Sequence, residues 1–319
     1  MDALPHKLIA RFAGDLARLW PDGERLGLAV SGGPDSLALL LLAKAAMPER
    51  IEAATVDHGL RPESAREAAM VAELCAAYGI PHSILAVKVG PGNLQDRARA
   101  VRYAALGKWM AERGLGALAT GHHADDQAET LLMRLNRGSG VAGLAGVRAR
   151  GVVPGTQLAL LRPLLGWRRA QLAELVAASR LEPAQDPSNE DPRFDRARIR
   201  EGLKSADWLD VESIATSAAH LADAEGALQW AAQREWDEAV RVGEGEIRYT
   251  PIAPPAIRIR VLARAIALLG VEPRGGSVAQ LMVRLQNGKD ATLGGVVARV
   301  NSGAWTLRRE PPRRVRGIE

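Results

Sequence analysis

Six consecutive residues, Ser31-Gly32-Gly33-Pro34-Asp35-Ser36, stand between a short apolar run at 26–30 and an almost wholly apolar stretch at 37–46. A loop of this kind, set between a strand and a helix, points backbone N–H groups at the helix N-terminus, where the dipole also favours an anion. Ser31 and Ser36 add hydroxyl donors, while Gly32 and Gly33 let the chain turn tightly and approach a ligand without a Cβ in the way. Phosphate suits such a cradle. Ser, Asp and Gly are also ordinary helix starters, yet capping alone leaves Asp35 unexplained. A carboxylate beside bound phosphates is repelled unless a hard cation lies between them, which makes Asp35 a candidate Mg2+ ligand. No GxxxxGK[ST] pattern occurs, so the loop is not of the kinase or GTPase type.

A second cluster runs Gly121-His122-His123-Ala124-Asp125-Asp126-Gln127-Ala128-Glu129. With a helix over 124–135, His122, Asp126 and Glu129 share one face, and Asp125 and Glu129 are neighbours at i, i+4. Acidic residues in a first turn also complement the helix dipole, but with the Gly-Gly loop upstream a shared site explains the cluster better. Asp35 and Asp126 are then expected to hold Mg2+, and Asp125 and Glu129 are further candidate ligands or bases. Asp57-His58-Gly59, which follows the apolar run 51–56, can be turn chemistry alone.

The elements that must position these groups are legible in the alternation of the chain. Apolar runs at 26–30, 51–56, 83–89 and 115–120 read as strands, and 37–46, 63–78, 94–112 and 125–135 as helices, with one more strand at 157–162. Strand-helix alternation of this length predicts an α/β fold, an open, doubly wound, mostly parallel sheet with its ligand at the carboxyl ends of the strands. The pattern breaks at Asp186-Pro187-Ser188-Asn189, so the first domain is expected to be 1–205 and the second 206–319. The second reads as smaller and mainly helical, with a long helical stretch at 211–240. It ends in a β-hairpin whose turn is Asn301-Ser302-Gly303.

At 319 residues, 47% of them apolar, the chain is long enough to bury two cores. It offers no run of about 18 apolar residues for a membrane span, so a cytoplasmic protein without membrane contact is expected. One cysteine, Cys75, rules out a disulfide framework and a CxxC metal or redox pair. The net charge of +5 is unevenly spread. Residues 130–173 hold seven arginines, Arg134, Arg137 and Arg162 among them, and no acid. Twelve basic residues face three acidic ones over 258–316. Basic surfaces of this kind attract polyanions, because each neutralised phosphate releases a condensed counterion.

The hexapeptide Ser31–Ser36 resembles the PP-loop of the N-type ATP pyrophosphatases, which split ATP between its α and β phosphates. Three further stretches resemble the tRNA(Ile)-lysidine synthetases in sequence and order: 55–61, ending in Arg61; 120–130; and 186–189 leading to Arg196-Ala197-Arg198-Ile199-Arg200. Arg99-Ala-Val-Arg102-Tyr103 and Arg162-Pro163-Leu164-Leu165 also look like motifs of that family. Ala197 departs from it, since asparagine is usual there. The likeness is dense over about residues 25–203 and loose beyond. It implies ATP and Mg2+ as cofactors, and free L-lysine and a tRNA(Ile) with a CAU anticodon as substrates. No obligate protein partner is evident. Ser31, Gly32, Gly33, Pro34, Asp35, Ser36, Asp57, His58, Arg61, Gly121 and His122 become the expected ATP contacts. Asp125 or Glu129 is expected to meet the lysine ammonium or take its proton; Arg134, Arg137, Arg162, Arg196, Arg198 and Arg200 become the expected tRNA contacts, with 138–146 a flexible clamp for the anticodon stem and the basic domain 206–319 holding the tRNA body.

Overall fold

Leu26 and Leu28 turn one way from their strand and Gly27 the other, where a Cβ would come within 2.9 Å of the Trp109 ring. That alternation sets up two apolar layers, one on each side of a sheet, in the computed structural model of the chain. The structure describes residues 4–21, 23–59, 62–90, 94–184, 193, 195–270, 273 and 275–311.

The first part runs α1 (His6–Leu19), β1 (Leu26–Ala29), α2 (Pro34–Ala46), β2 (Ile51–Asp57), α3 (Pro62–Ala77), β3 (His82–Ala86), α4 (Leu94–Arg113) and β4 (Ala117–Ala119). It continues with α5 (Ala124–Leu135), α6 (Val141–Leu144), β5 (Arg150–Val152), β6 (Ala159–Leu161), α7 (Arg169–Ala178) and α8 (Asp195–Ser205). Six strands lie in the order β3-β2-β1-β4-β6-β5, parallel except for β5. The doubly wound sheet expected from the alternation is therefore present, with β5 added as an antiparallel edge. On one face α1, α2, α3 and α7 pack against Leu26, Leu28, Ala53, Ala117 and Leu161. On the other, α4 covers Ala54, Leu118 and Leu160 with Tyr103, Leu106 and Trp109. Residues 37–43 of α2 are buried all round, as expected of a helix enclosed between a sheet and two further helices.

The chain winds outward from β1 to β3 and then returns to place β4 on the other side of β1. Strand order reverses at that point, and the loops after β1 and β4 diverge to leave a crevice at the carboxyl ends. The Ser31–Ser36 loop leaves β1 and the His122–Glu129 segment leaves β4, so topology alone brings the two clusters together.

The second part comprises α9 (Val211–Ala239), β7 (Val240–Gly243), β8 (Glu246–Tyr249), α10 (Pro255–Leu269), α11 (Gly275–Gln286), β9 (Ala291–Leu293), β10 (Val296–Asn301) and β11 (Ala304–Arg309). The two compact units divide between Ala222 and Asp223, inside α9. The predicted hairpin is β10–β11, and its Ser302 and Gly303 both take positive φ, at 45° and 82°. It belongs to a five-stranded antiparallel sheet, β7-β8-β11-β10-β9, so this unit carries more strand than a mainly helical reading. One sheet face packs on α10, α11 and the end of α9 through Tyr249, Trp305, Leu307, Val261, Ile266 and Trp236. Among the described residues no helix is long and apolar enough to cross a membrane.

Candidate active site

The loop after β1 is tied by Ser36, whose hydroxyl donates to the Gly33 carbonyl at 2.9 Å and accepts from the Ser31 N–H at 3.1 Å. Gly32 has φ +87°, a conformation that glycine adopts without strain. Gly33 then enters α2 in extended conformation, Pro34 takes the first helical position, and Asp35 sits in the first turn. Across the crevice, Gly121 lies so close that a Cβ there would come within 2.8 Å of the Asp35 carbonyl oxygen. This glycine is demanded by contact between the two loops.

His123 joins them. It is 0% exposed, caps α5 by accepting the Asp126 N–H at Nδ1, and receives the Asp126 carboxylate on its own N–H at 3.1 Å. Its Nε2 lies 3.4 Å from Asp35 and 3.6 Å from Asp126. Burial works to lower the His123 pKa, but the contact with Asp35 and the charges of Asp126 and Asp35 outweigh it and raise it. Its neighbour goes the other way. Burial, with Arg162, Arg102 and Arg196 nearby, overrides the pull of Asp126 and brings His122 down to about 4. Burial works to raise Asp126, yet His123, His122 and Arg196 hold it below the usual carboxylate range. Among the described residues, Asp35 Oδ1 is buried without a hydrogen-bond partner.

These groups open onto a cavity of about 570 Å³ lined by Ser31, Gly33, Pro34, Asp35, Ser36, His58, Thr120, Gly121, His122 and Asp126. Four arginines, Arg102, Arg169, Arg196 and Arg200, complete the wall. The cradle, an acidic pair and a ring of guanidinium groups therefore share one space, the charge arrangement a polyphosphate with a divalent cation needs.

Several expected site residues stand elsewhere. Glu129 is 1% exposed, and its carboxylate is taken by Arg200 at 2.7 Å and Arg196 at 3.4 Å. Asp125 accepts the Arg169 N–H at 2.8 Å and pairs with Arg168 at 3.3 Å, fixing the start of α7. Neither lines the cavity. Asp57 accepts from Gly59 N–H and Ser64 Oγ, and those bonds hold its carboxyl below the usual range, so its contacts are those of a turn. Arg162, expected on the tRNA surface, is only 7% exposed and donates to the Arg148 carbonyl at 2.6 Å. Arg137 and Arg198 are exposed and share Asp195. The segment after α5 is not a free loop. It forms the short α6, and Arg134 holds the Gly143 carbonyl while the Gln127 side chain bonds both backbone groups of Val147. Arg61 and 186–189 lie outside the described residues. His123 and Arg169 were not singled out from sequence; the only local signal for His123 is its N-cap position before Ala124.

Residues 6–206 match the family model of the PP-loop domain. The chain is 49% identical over 309 residues to the tRNA(Ile)-lysidine synthase of Novosphingobium aromaticivorans, covering 96% of this chain and 94% of that one. It is 42% identical over 306 residues to the tRNA(Ile)-lysidine synthase of Zymomonas mobilis, covering 92% and 91%. Among solved structures it is similar in fold to the U34-tRNA thiolase of Methanococcus maripaludis, with a TM-score of 0.53 at 18% identity, over 67% of this chain and 78% of that one.

Proposed function

The chain belongs to the tRNA(Ile)-lysidine synthase family, and from that premise we propose that it uses ATP to join L-lysine to C2 of the wobble cytidine in the CAU anticodon of tRNA(Ile). AMP and pyrophosphate are released through an adenylated tRNA. The observation that carries this reading is the meeting of the Ser31–Ser36 cradle, Asp35, Asp126 and four arginines in one cavity at the strand-order reversal.

In this reading the loop N–H groups and the Ser31 and Ser36 hydroxyls hold the ATP phosphates, and Arg102, Arg169, Arg196 and Arg200 offset their charge. Mg2+ fits the residues present. Among the described residues no three side chains are arranged to hold a metal unaided, as suits an ion bound through one or two carboxylates plus substrate phosphates. The orphaned Asp35 Oδ1, with Asp126, would supply the carboxylate side. Bound there, Mg2+ would draw charge from the departing pyrophosphate. Glu129 and Asp125 act by setting the arginines, since their carboxylates are already engaged. The lysine ammonium, whose ordinary pKa is about 10.4, requires a proton acceptor or desolvation before attack. Anticodon bases are unpaired, so the cytosine can be splayed into the cavity at modest cost. Arg137 and Arg198, exposed at the end of α5 and on α8, meet the RNA backbone in this reading. The reaction takes place in the cytoplasm, where its three substrates meet.

A sulfur-transfer reading, prompted by the fold likeness, lacks its chemistry: the single cysteine, Cys75, is buried and its thiol pushed up to about 11. The test is transfer of radiolabelled lysine into an unmodified tRNA(Ile) transcript with ATP and Mg2+. Acid-precipitable label that needs all components supports the reading. ATP cleavage without label, or label transferred equally to a tRNA lacking the wobble cytosine, refutes it.

A further inference from the structure

The first helix of the chain lines no part of the cavity, yet it grips the turn on which the cavity wall leans. Arg11 of α1 lays its guanidinium over the Trp167 ring, 4.2 Å from the centroid, and donates to the Gly166 carbonyl at 2.5 Å. Asp15, one helical turn on, accepts the Trp167 indole N–H at 2.9 Å. Trp167 is 0% exposed, so a lost acceptor there leaves a buried donor that water does not reach. The carboxylate is itself steadied by Arg11 and Arg18, and a charged acceptor makes the stronger kind of hydrogen bond. Phe12, Leu16 and Leu164 pack in the same apolar cluster as the ring. Such packing holds the indole in place without setting its angle, because apolar contact is non-directional. The bond to Asp15 sets the angle.

The same turn reaches inward to the site. The Trp167 carbonyl accepts the N–H of Ala124 at 2.8 Å. Ala124 opens α5 directly after the His123 cap, and an N–H in a first helical turn has no acceptor within its own helix. Beside it, the Arg169 N–H donates to the Asp125 carboxylate at 2.8 Å, and Arg168 pairs with that carboxylate at 3.3 Å. The turn therefore fixes the start of α5, which carries Asp126, and it carries Arg169 of the cavity wall. We propose that Asp15 is a positioning residue for the reaction: by holding the Trp167 indole it fixes the turn that seats the first turn of α5 and sets Arg169 against the cavity. The proposal rests on the lysine-ligation reading for its activity readout. Asp15 touches neither substrate nor cavity and acts through Trp167. A displacement of about 1 Å in reacting groups can cost up to about 10²-fold in rate, so a small rotation of this turn is enough to matter.

The test compares the full chain with D15A, D15N and L16A, all assayed at a temperature where each is folded by thermal melting. Leu16 is buried in the same helix, so L16A loosens α1 while leaving the Asp15 bond to Trp167 in place. Two quantities are read: kcat for lysine transfer at saturating substrates, and the ATP dissociation constant by equilibrium dialysis with Mg2+. In D15A, kcat is expected to fall about tenfold and ATP to bind about threefold more weakly. D15N keeps an acceptor oxygen for the indole and should stay within about twofold of wild type on both. L16A should melt as early as D15A or earlier, with both quantities within about twofold of wild type. Losses in L16A equal to those in D15A make Asp15 merely structural and overturn the proposal, as does a D15A that keeps wild-type values or a D15N as impaired as D15A. If D15A does not fold, W167F decides, because it keeps a ring in the core and removes the N–H: a loss like that expected of D15A supports the proposal, and wild-type values overturn it. A wild-type chain that binds ATP yet transfers no lysine refutes the reaction, and the ATP dissociation constants of the same variants then decide the positioning role alone.

Discussion

Two regions of this chain treat charge in opposite ways. At the carboxyl ends of β1 and β4, Glu129 is 1% exposed and gripped by Arg200 and Arg196, and Asp35 and Asp126 converge on a buried His123. On the outer sheet face of the second unit, Arg241 and Arg248 stand opposite each other in solvent. Burial explains the contrast. An unpaired charge away from water costs several kcal/mol, whereas exposed like charges cost a fraction of one, because water and salt screen them. The cavity must therefore carry its counter-charges in its own sequence. An exposed face can leave its charges to water and salt.

The strongest test of the cavity is Asp35→Asn, which keeps the shape and removes the charge beside the phosphates. Lysine transfer should fall by about 10² to 10³, the loss typical of removing one electrostatic group from an active site, with the melting temperature nearly unchanged. Activity within threefold of wild type would show that Asp35 does not act on the reacting groups.

Next in size is Arg200→Ala, which leaves the Glu129 carboxylate with Arg196 alone among the described residues. A loss of about 3 kcal/mol in urea unfolding is expected, and Glu129→Gln added to it should recover part of that loss, since the stranded charge goes with it. Arg260→Ala applies the same rule in the second unit, where Glu225 is buried against Arg260 and also accepts from Gln229 at 2.7 Å. The cost there should be smaller, because Gln229 still satisfies one oxygen. If Arg260→Ala costs nothing, the contrast is between the units and not between buried and exposed charge.

What could be read from sequence follows the same division between local and distant causes. The cradle, the parallel alternation and the β10–β11 hairpin are local patterns: a Gly-Gly turn, a period, an Asn-Ser-Gly turn. The partners of Glu129 lie 67 and 71 positions away, at Arg196 and Arg200, so nothing near Glu129 announces that its carboxylate is occupied. The same holds for Arg162, whose burial depends on strands folding over it. β5 is three residues long, too short for a period to show, and β7 follows a 29-residue helix without a break residue between them. The opposed arginines are invisible until the β7–β8 register is known, because a slip of one residue would send them to opposite faces.

Solution pH should separate the two regions further. His82, in β3, sits 2.9 Å from Thr55 Oγ1, and burial lowers its pKa in the folded chain. The unfolded chain then binds a proton near pH 6.5 while the folded chain resists, so this group's share of stability is present above about 6.5 and is lost as pH falls below it. Urea midpoints at pH 7.5 and 5.5 should differ by less in His82→Gln than in wild type. An unchanged difference would assign the acid sensitivity elsewhere. Arginine stays charged across this range, so the sheet face should respond to salt and not to pH.

The smallest effect is the most diagnostic of the second region. Arg248→Gln removes one member of the opposed pair without touching the core, since Arg248 has no ion pair among the described residues and lies in solvent. Relief of the repulsion with Arg241 should leave stability unchanged or raise it by up to about 0.5 kcal/mol at low salt. Because the repulsion is screened, any gain should vanish near 0.5 M salt. A surface selected only for stability would lose from this substitution, and a measured loss above about 0.5 kcal/mol, larger than solvent-exposed changes usually give, would mean that the guanidinium supports the fold.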